Sequence, residues 1–468
     1  MTRDKLIREL DPFFKASSVA VVGASTTPGK IGHEILRSLA QYDYKGRVYP
    51  VNPNAKEILG LRCYPRIQDI PGKIDLAVIA LPSSFAPDVI EQCGRKGVKA
   101  CVVVSGGFKE LGEDCAKIEQ AMMETARKYR IRIIGPNCIG IFDSKTKIDT
   151  FFQSHERMLR PRKGTVSFIT QSGTIGCTLL EWAAENQLGI SKFVSYGNRA
   201  DVDEADLVRY LGADPETSVI GVYVEGFGDG RRFLGAAKDI VMEKALVVLK
   251  SGRTALGAKA ALSHTGWLAG SYAICESALK QYGILTTDSF QELFDAINAL
   301  AKQPPSKENR IAMVTNGAGP CVMAADECMR RGVKLASYSK ATVEKLKESI
   351  PPYCVVGNPV DLTGTATSNE YRIAIEMLLR DPNVDLLMPF FVFQDSPLDE
   401  NIIDVVADSQ RYGKPVLCCA SGGPYTREQS TKLEGKGVPV YATAERAVAA
   451  AHALILRGKV LQSTAPVE

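Results

Sequence analysis

Short apolar runs alternate with amphipathic stretches along most of this chain. Ser18-Val-Ala-Val-Val-Gly, Arg47-Val-Tyr-Pro-Val-Asn, Ile74-Asp-Leu-Ala-Val-Ile-Ala-Leu-Pro, Ala100-Cys-Val-Val-Val-Ser and Ile131-Arg-Ile-Ile-Gly-Pro-Asn are too short for buried helices. Their β-branched content predicts strands. Residues 31–42, 85–96 and 114–128 carry helical spacing between them. Repeated βα with continuously apolar strands predicts a parallel, doubly wound sheet buried on both faces. This first unit runs over residues 1–152.

The rhythm resumes in residues 153–303. Strands are predicted at Gly164-Thr-Val-Ser-Phe-Ile-Thr, Ile190-Ser-Lys-Phe-Val-Ser, Val219-Ile-Gly-Val-Tyr-Val-Glu and Ala245-Leu-Val-Val-Leu-Lys. Helical segments at 269–282 and 290–301 close the unit. The polar, proline-bearing stretch Lys302-Gln-Pro-Pro-Ser-Lys-Glu-Asn reads as a linker into a third unit, residues 304–468. Its clearest strands are Arg310-Ile-Ala-Met-Val-Thr, Asp385-Leu-Leu-Met-Pro-Phe-Phe-Val-Phe and Pro415-Val-Leu-Cys-Cys-Ala. The units share a rhythm but no short sequence repeat, which excludes a solenoid reading.

Composition agrees with three ordinary α/β domains in 468 residues. The net charge of +4 implies no strong pull toward nucleic acid. No apolar run approaches the roughly 18 residues of a membrane span. The charged start Met1-Thr-Arg-Asp-Lys-Leu-Ile-Arg-Glu-Leu does not read as a signal peptide. The 12 cysteines are scattered without a CxxC pair, and there are only 4 histidines, so no metal site is expected. Reduced thiols in a cytoplasmic enzyme fit this usage better.

Candidate chemistry lies at the strand ends, where helix N-termini offer unpaired N–H groups and positive dipole ends. Gly23-Ala24-Ser25, Pro28 and Gly32 follow the first strand and allow a tight turn and close approach of a phosphorylated ligand. Their spacing is not GxGxxG, and the second strand ends Val51-Asn52-Pro53 without an acid for a ribose hydroxyl, which argues against NAD. Pro82, Ser105-Gly106 and Pro136-Asn137 mark later strand ends. Together these loops would line a groove for a nucleotide with an extended arm, or serve packing alone.

In the second unit Ser172, Gly173 and Thr174 open a helix and make an anion seat, or a simple N-cap. His264 lies in a loop of small residues after the strand Ala245-Leu-Val-Val-Leu-Lys, where an uncrowded imidazole can act as a nucleophile. Glu225, ending a neighbouring strand, is placed to orient that imidazole, unless it is a solvated loop acid. Asp201, Asp203, Glu204 and Asp206 read as acids dressing a helix N-terminus rather than metal ligands. In the third unit Asn316-Gly-Ala-Gly-Pro and Asn358-Pro-Val-Asp-Leu-Thr-Gly are further strand-end loops.

These residues carry a family resemblance over essentially the whole chain. It resembles the α subunit of ADP-forming (NDP-forming) acyl-CoA synthetases, of the acetate–CoA ligase type, relatives of succinyl-CoA synthetase. Val22-Gly-Ala-Ser, Val51-Asn-Pro, Ser105-Gly-Gly-Phe-Lys-Glu and Gly135-Pro-Asn-Cys-Ile-Gly are similar to the family's Rossmann-like CoA-binding domain. Thr170-Gln-Ser-Gly, Gly197-Asn-Arg-Ala-Asp-Val-Asp and Ser263-His-Thr-Gly-Trp-Leu-Ala-Gly are similar to its flavodoxin-like ligase domain. Thr315-Asn-Gly-Ala-Gly-Pro and Asn358-Pro-Val-Asp-Leu-Thr-Gly are similar to a further flavodoxin-like domain.

The resemblance implies the reaction acyl-CoA + ADP + phosphate ⇌ acid + CoA + ATP. His264 would accept the phosphoryl group of an acyl phosphate, Glu225 would stabilise it, and Ser172, Gly173 and Thr174 would hold phosphate. Nothing in the chain resembles an ATP-grasp domain. The resemblance therefore implies a separate ATP-grasp β subunit that binds ADP/ATP and Mg2+, in an α2β2 heterotetramer. Two positions depart from the family pattern. Trp267 stands where relatives carry a small residue, which would narrow the acyl pocket or shield the phosphohistidine. Asn54 follows Val-Asn-Pro where relatives often have lysine, leaving Lys56 as the candidate contact to the CoA phosphates. The alternative class is a non-catalytic CoA-binding regulatory subunit, which would not need both His264 and Glu225.

Overall fold

The computed structural model describes residues 3–259 and 272–463, and it divides into two compact units, Met1–Thr286 and Thr287–Glu468. The first unit holds two large sheets and a two-stranded hairpin, Glu57–Ile58 with Leu61–Arg62. Strands Ser18–Val22, Arg47–Val51, Leu76–Ile79, Ala100–Val103 and Arg132–Ile134 form one, all parallel. Its spatial order is second, first, third, fourth, fifth. A single parallel bridge from Val51 to Tyr64 extends the edge. Counted as a vestigial third strand, it gives the 3-2-1-4-5-6 order of a Rossmann sheet. The strands are almost wholly buried because crossover helices cover the sheet, which is why they read as unbroken apolar runs.

The second sheet is built from Lys163–Thr170, Ile190–Ser195, Val219–Val224, Ala245–Lys250 and Leu285–Thr286. Its parallel strands again lie in the order 2-1-3-4-5, the flavodoxin order. One strand was not expected there. Ile141–Asp143, which the sequence reading leaves inside the first unit, pairs antiparallel with Ile190–Ser195. The chain thus enters the second sheet before residue 152, and one continuous apolar core spans both sheets, from Leu10 and Val19 to Val222 and Val248. The N-terminal helix Arg3–Phe14 helps join them: Phe14 stacks on Tyr210 with ring centroids 5.0 Å apart, and Tyr210 Oη donates to Asp11 at 3.1 Å.

In the second unit, strands Arg310–Thr315, Lys334–Leu335, Leu386–Phe391, Cys418–Ala420 and Val440–Tyr441 repeat the same 2-1-3-4-5 order, all parallel. The helix Phe290–Lys302 belongs to this unit, not to the preceding one as its sequence position suggests. Arg446 of the last helix pairs with its Asp295 at 2.7 Å, and Tyr441 Oη donates to the Asp295 carbonyl at 3.0 Å. Among the described residues no helix is long and apolar enough to cross a membrane.

Candidate functional site

Five strand-end segments of the first unit converge on a cleft of about 490 Å3. The first sheet supplies Val104 and the turn Asn137-Cys138-Ile139. The second supplies Gln171 to Thr174, Gly197-Asn198 and Glu225. The carboxyl ends of two parallel sheets face one space, the location where open α/β sheets place ligands.

Ser172 caps the helix Gly173–Glu185, its hydroxyl accepting from Ile175 N at 3.4 Å. Thr170 Oγ1 fixes the entry to this turn by accepting from Ser172 N at 3.2 Å and donating to Ser172 O at 2.8 Å. Helix geometry leaves the N–H groups of Gly173 and Thr174 without intrahelical acceptors, at the positive end of the dipole. The capping hydroxyl can still donate its own proton to an anion. Gly173 sits tight: a Cβ there would lie 2.8 Å from Ile139 Cγ2.

Glu225 is buried beside this helix start, and its backbone is fixed at both ends. Its N–H donates to Gln171 Oε1 at 2.9 Å, and its carbonyl accepts from Lys250 Nζ at 2.8 Å. Arg199 Nη1 donates to the next carbonyl, Gly226 O, and pairs with buried Glu204, which accepts from Gly228 N at 2.9 Å. Burial pulls the Lys250 ammonium below the ordinary lysine range, with Cys275 and Glu225 opposing that shift. Burial raises Glu204 above the usual carboxylate range, against the nearby Arg199 charge. Lys250→Met should lower the unfolding free energy by about 2 kcal/mol, since a buried carbonyl loses a charged donor. A urea titration that left the midpoint unchanged would remove Lys250 from this clamp.

The first-sheet loops follow the strand ends where the strand order reverses. Gly23 adopts φ +90°, and a Cβ on it would lie 2.5 Å from Ala80 O. Gly32 approaches closer still, its Cβ position 2.0 Å from Gly23 O. Asn52 ties the second strand end to the first, Nδ2 donating to Ala24 O at 2.7 Å. Ser25 Oγ accepts from Thr27 N at 3.1 Å, so the turn before Pro28 is ordered from within. Val51 is buried, while Pro53 and Lys56 are exposed on the rim, as are Pro82 and Gly106. Ser105 O accepts from Asn137 N at 2.9 Å, and buried Pro136 presents its carbonyl to Asn198 N at 2.9 Å. Pro28 faces a neighbouring cleft of about 710 Å3.

Asn198, quoted in a family segment of the sequence but given no role there, joins the two halves of the site. Its Nδ2 donates to Glu110 Oε2 at 2.5 Å and Glu119 Oε2 at 3.1 Å, and its carbonyl accepts from Lys109 Nζ at 2.7 Å. Glu110 also accepts from Gly107 N at 2.6 Å and Phe108 N at 3.1 Å. Burial pushes the Glu110 carboxyl up, but these hydrogen bonds overcome it and hold the group below its ordinary range. Gln171 and Lys250 also escaped the sequence reading. The available signals were slight: a glutamine between the two hydroxyl residues of Thr170-Gln-Ser, and a lysine ending an apolar strand.

The acidic cluster is accounted for by structure. Asp203 caps the helix Glu204–Ala213 through Asp206 N, and Arg132 lies 2.8 Å from both Asp201 and Asp206. Arg232 pairs with Asp203 and Asp206, and Arg199 with Glu204. Four acids matched to three arginines explain the cluster without an ion. His264 and Trp267 lie outside the described residues. The chain toward them leaves the strand Ala245–Lys250, whose last residue is paired with Val224, directly before Glu225, and turns helical over residues 255–259 where a loop was expected.

The glycine turns of the first sheet and the capped helix start at Ser172 in the second both stand at strand ends of an α/β protein, where such folds place ligands. Comparison with known proteins supplies the family. Residues 17–143 match the model of a CoA binding domain, 163–300 that of the succinyl-CoA ligase like flavodoxin domain, and 311–457 that of the ligase-CoA domain. The chain is 40% identical to the acetate–CoA ligase [ADP-forming] II subunit alpha of Pyrococcus furiosus, over 96% of this chain and 98% of that one. It is 40% identical to the acetate–CoA ligase [ADP-forming] I of Archaeoglobus fulgidus, over 94% of this chain but 62% of that one. A solved structure of the dinucleotide forming acetyl-coenzyme A synthetase 1 of Ca. Korarchaeum cryptofilum, in complex with phosphate and ADP, superposes with a TM-score of 0.90 at 38% identity, covering 96% of this chain and 97% of that chain. The chain belongs to the family of α subunits of ADP-forming acyl-CoA ligases. The α/β class and the resemblance drawn from the sequence are both borne out.

Proposed function

We propose that this chain is the α subunit of a cytoplasmic ADP-forming acyl-CoA synthetase, catalysing acyl-CoA + ADP + phosphate ⇌ acid + CoA + ATP. The observation that carries the reading is the cleft in which the Gly173–Thr174 helix start, Glu225 and the Asn137–Ile139 turn meet. CoA lies along the first-sheet loops, its phosphates at Gly23, Ala24, Ser25, Pro28 and Gly32 with Lys56 at the rim. Its arm runs past Val51, Asn52, Pro53, Pro82, Ser105, Gly106, Pro136 and Asn137 toward the cleft. The twelve cysteines, all free thiols, suit a reducing compartment.

Phosphate is seated by the N–H groups of Gly173 and Thr174 and the Ser172 hydroxyl. One of its oxygens attacks the thioester carbonyl, the C–S bond breaks, and CoA leaves as thiolate to be protonated by solvent. His264 then attacks phosphorus of the acyl phosphate, the P–O bond to the acyl group breaks, and the carboxylate departs. Glu225 orients the imidazole and balances its charge. ADP takes the phosphoryl group from His264, regenerating the neutral imidazole. Such transfer rests on positioning and charge neutralisation.

The nucleotide and Mg2+ are held on a separate ATP-grasp β subunit in an α2β2 assembly. Two observations support this. The Pyrococcus furiosus relative is named a subunit and is covered over 98% of its length. The Archaeoglobus fulgidus relative, of which this chain covers 62%, is longer. The test is to supply acetyl-CoA, ADP and phosphate to this chain alone and to its complex with a candidate ATP-grasp chain. ATP should form with the complex only. ATP made by the isolated chain would overturn the divided arrangement.

A further inference from the structure

Resting on the reaction proposed above, we infer that Phe152 and Cys177 form the end wall of the acyl pocket and set the largest acid the enzyme accepts. Three groups must meet at the reacting carbonyl, and two approaches to it are taken. Phosphate occupies the N–H groups of Gly173 and Thr174. The CoA arm of the proposed reaction enters past Asn137 and Asn198, which also line the 490 Å3 cleft. The acyl chain is left the third direction, along the helix Gly173–Glu185 toward Cys177.

Cys177 lies four residues after Gly173, one helical turn down the same face. Ile139 closes the flank of that turn. Its Cγ2 stands 2.8 Å from a Cβ placed on Gly173, and its Cδ1 3.4 Å from one on Gly176. Among the described residues, the channel in this direction leads past Phe152, Gln153 and Cys177. These same three residues also line the neighbouring 710 Å3 cleft, so they stand as the partition between the two spaces. Phe152 is half-buried and packs on the core, which holds its ring in place. The Cys177 thiol is pushed up by burial and by the Glu181 charge, so it presents a neutral, apolar surface.

The wall also fixes the chemical class of acid. Among the described residues lining this cleft, Glu225 is the only charged side chain, and none is basic. A second carboxylate would be desolvated with no cation to pair it. The pocket takes monocarboxylic acids whose chain is apolar and whose length ends at Phe152 and Cys177.

The test uses the complex with the ATP-grasp partner and measures kcat/KM for acetate, hexanoate and succinate. Phe152→Ala opens the partition, and the hexanoate-to-acetate ratio should rise roughly 10-fold or more, the discrimination a few methylenes carry in an apolar pocket. Cys177→Phe blocks the same path from the helix side and should lower that ratio by a similar factor. Succinate should stay a poor substrate of the wild-type and Cys177→Phe complexes, in which the partition from Arg37 and Arg157 of the neighbouring cleft is kept. Should both variants fold, as thermal unfolding reads, yet keep the wild-type ratio, the wall assignment is overturned. Should the wild-type complex fail to label His264 from ATP, the reaction itself falls, and the inference with it. An unchanged ratio beside intact labelling rejects the wall alone.

Discussion

His264→Ala is expected to abolish the acid-labile, base-stable phosphoryl group formed from labelled ATP. It should also lower ATP synthesis by about 10^4-fold or more, the scale on which loss of a covalent nucleophile is felt. The physical argument is one of reach. The strand Ala245–Lys250 runs parallel to Val219–Val224 and ends level with it, Lys250 opposite Val224. The chain toward His264 thus starts beside Glu225, whose backbone is fixed by Gln171 and Lys250. A buried carboxylate carried on a fixed backbone can hold one imidazole tautomer and balance the charge that forms when the other nitrogen attacks phosphorus. In the proposed reaction, formation of acyl phosphate from acyl-CoA and phosphate uses the Gly173–Thr174 seat and not the histidine. Hydroxylamine trapping should therefore still detect acyl phosphate in the variant. Label surviving the substitution would remove His264 from the pathway.

Gly197→Ala is expected to destabilise the first unit by about 2–5 kcal/mol, a large share of the roughly 5–15 kcal/mol a folded protein has in total. Gly197 has φ +50°, a left-handed conformation that costs a side chain about 1–2 kcal/mol. A Cβ would also lie 2.1 Å from Asn137 O and 2.3 Å from Pro136 O. Both are backbone atoms that no rotamer change can move, so overpacking adds about 1–3 kcal/mol. Asn198 N and Ala200 N bond to Pro136 O and Gly135 O at 2.9 and 3.0 Å, so relieving the clash would part the two sheet ends that frame the cleft. Gly60→Ala is the comparison: φ is +76°, but nothing lies within 4 Å of its Cβ, and about 1 kcal/mol is expected. Equal urea midpoints for the two variants would show that close approach at Gly197 carries no weight.

Much of the site could be read from local pattern. Parallel strands covered on both faces must be continuously apolar, so Leu76–Ile79 and Ala100–Val103 announced themselves, and glycines at strand ends marked the turns after them. Ser172 was legible as a cap because a hydroxyl residue stood directly before an apolar helical run. Asn198, Gln171, Lys250 and Glu110 were not, because each works on a partner more than 20 residues away in sequence. An asparagine in a turn looks the same whether it faces water or bridges two sheets.

The chain by itself determined its α/β class, its strand segments, its family and the turns that follow its strands, since periodicity and turn chemistry are written in neighbouring residues. Only the tertiary structure decided where each segment went. It sent Ile141–Asp143 antiparallel into the second sheet, placed Phe290–Lys302 in the C-terminal unit, and gave both flavodoxin-like sheets one strand order. It also set Phe152 and Cys177 on the partition between two clefts. Pairing of this kind follows from which apolar faces bury one another, a sum over distant contacts that no single stretch of sequence contains.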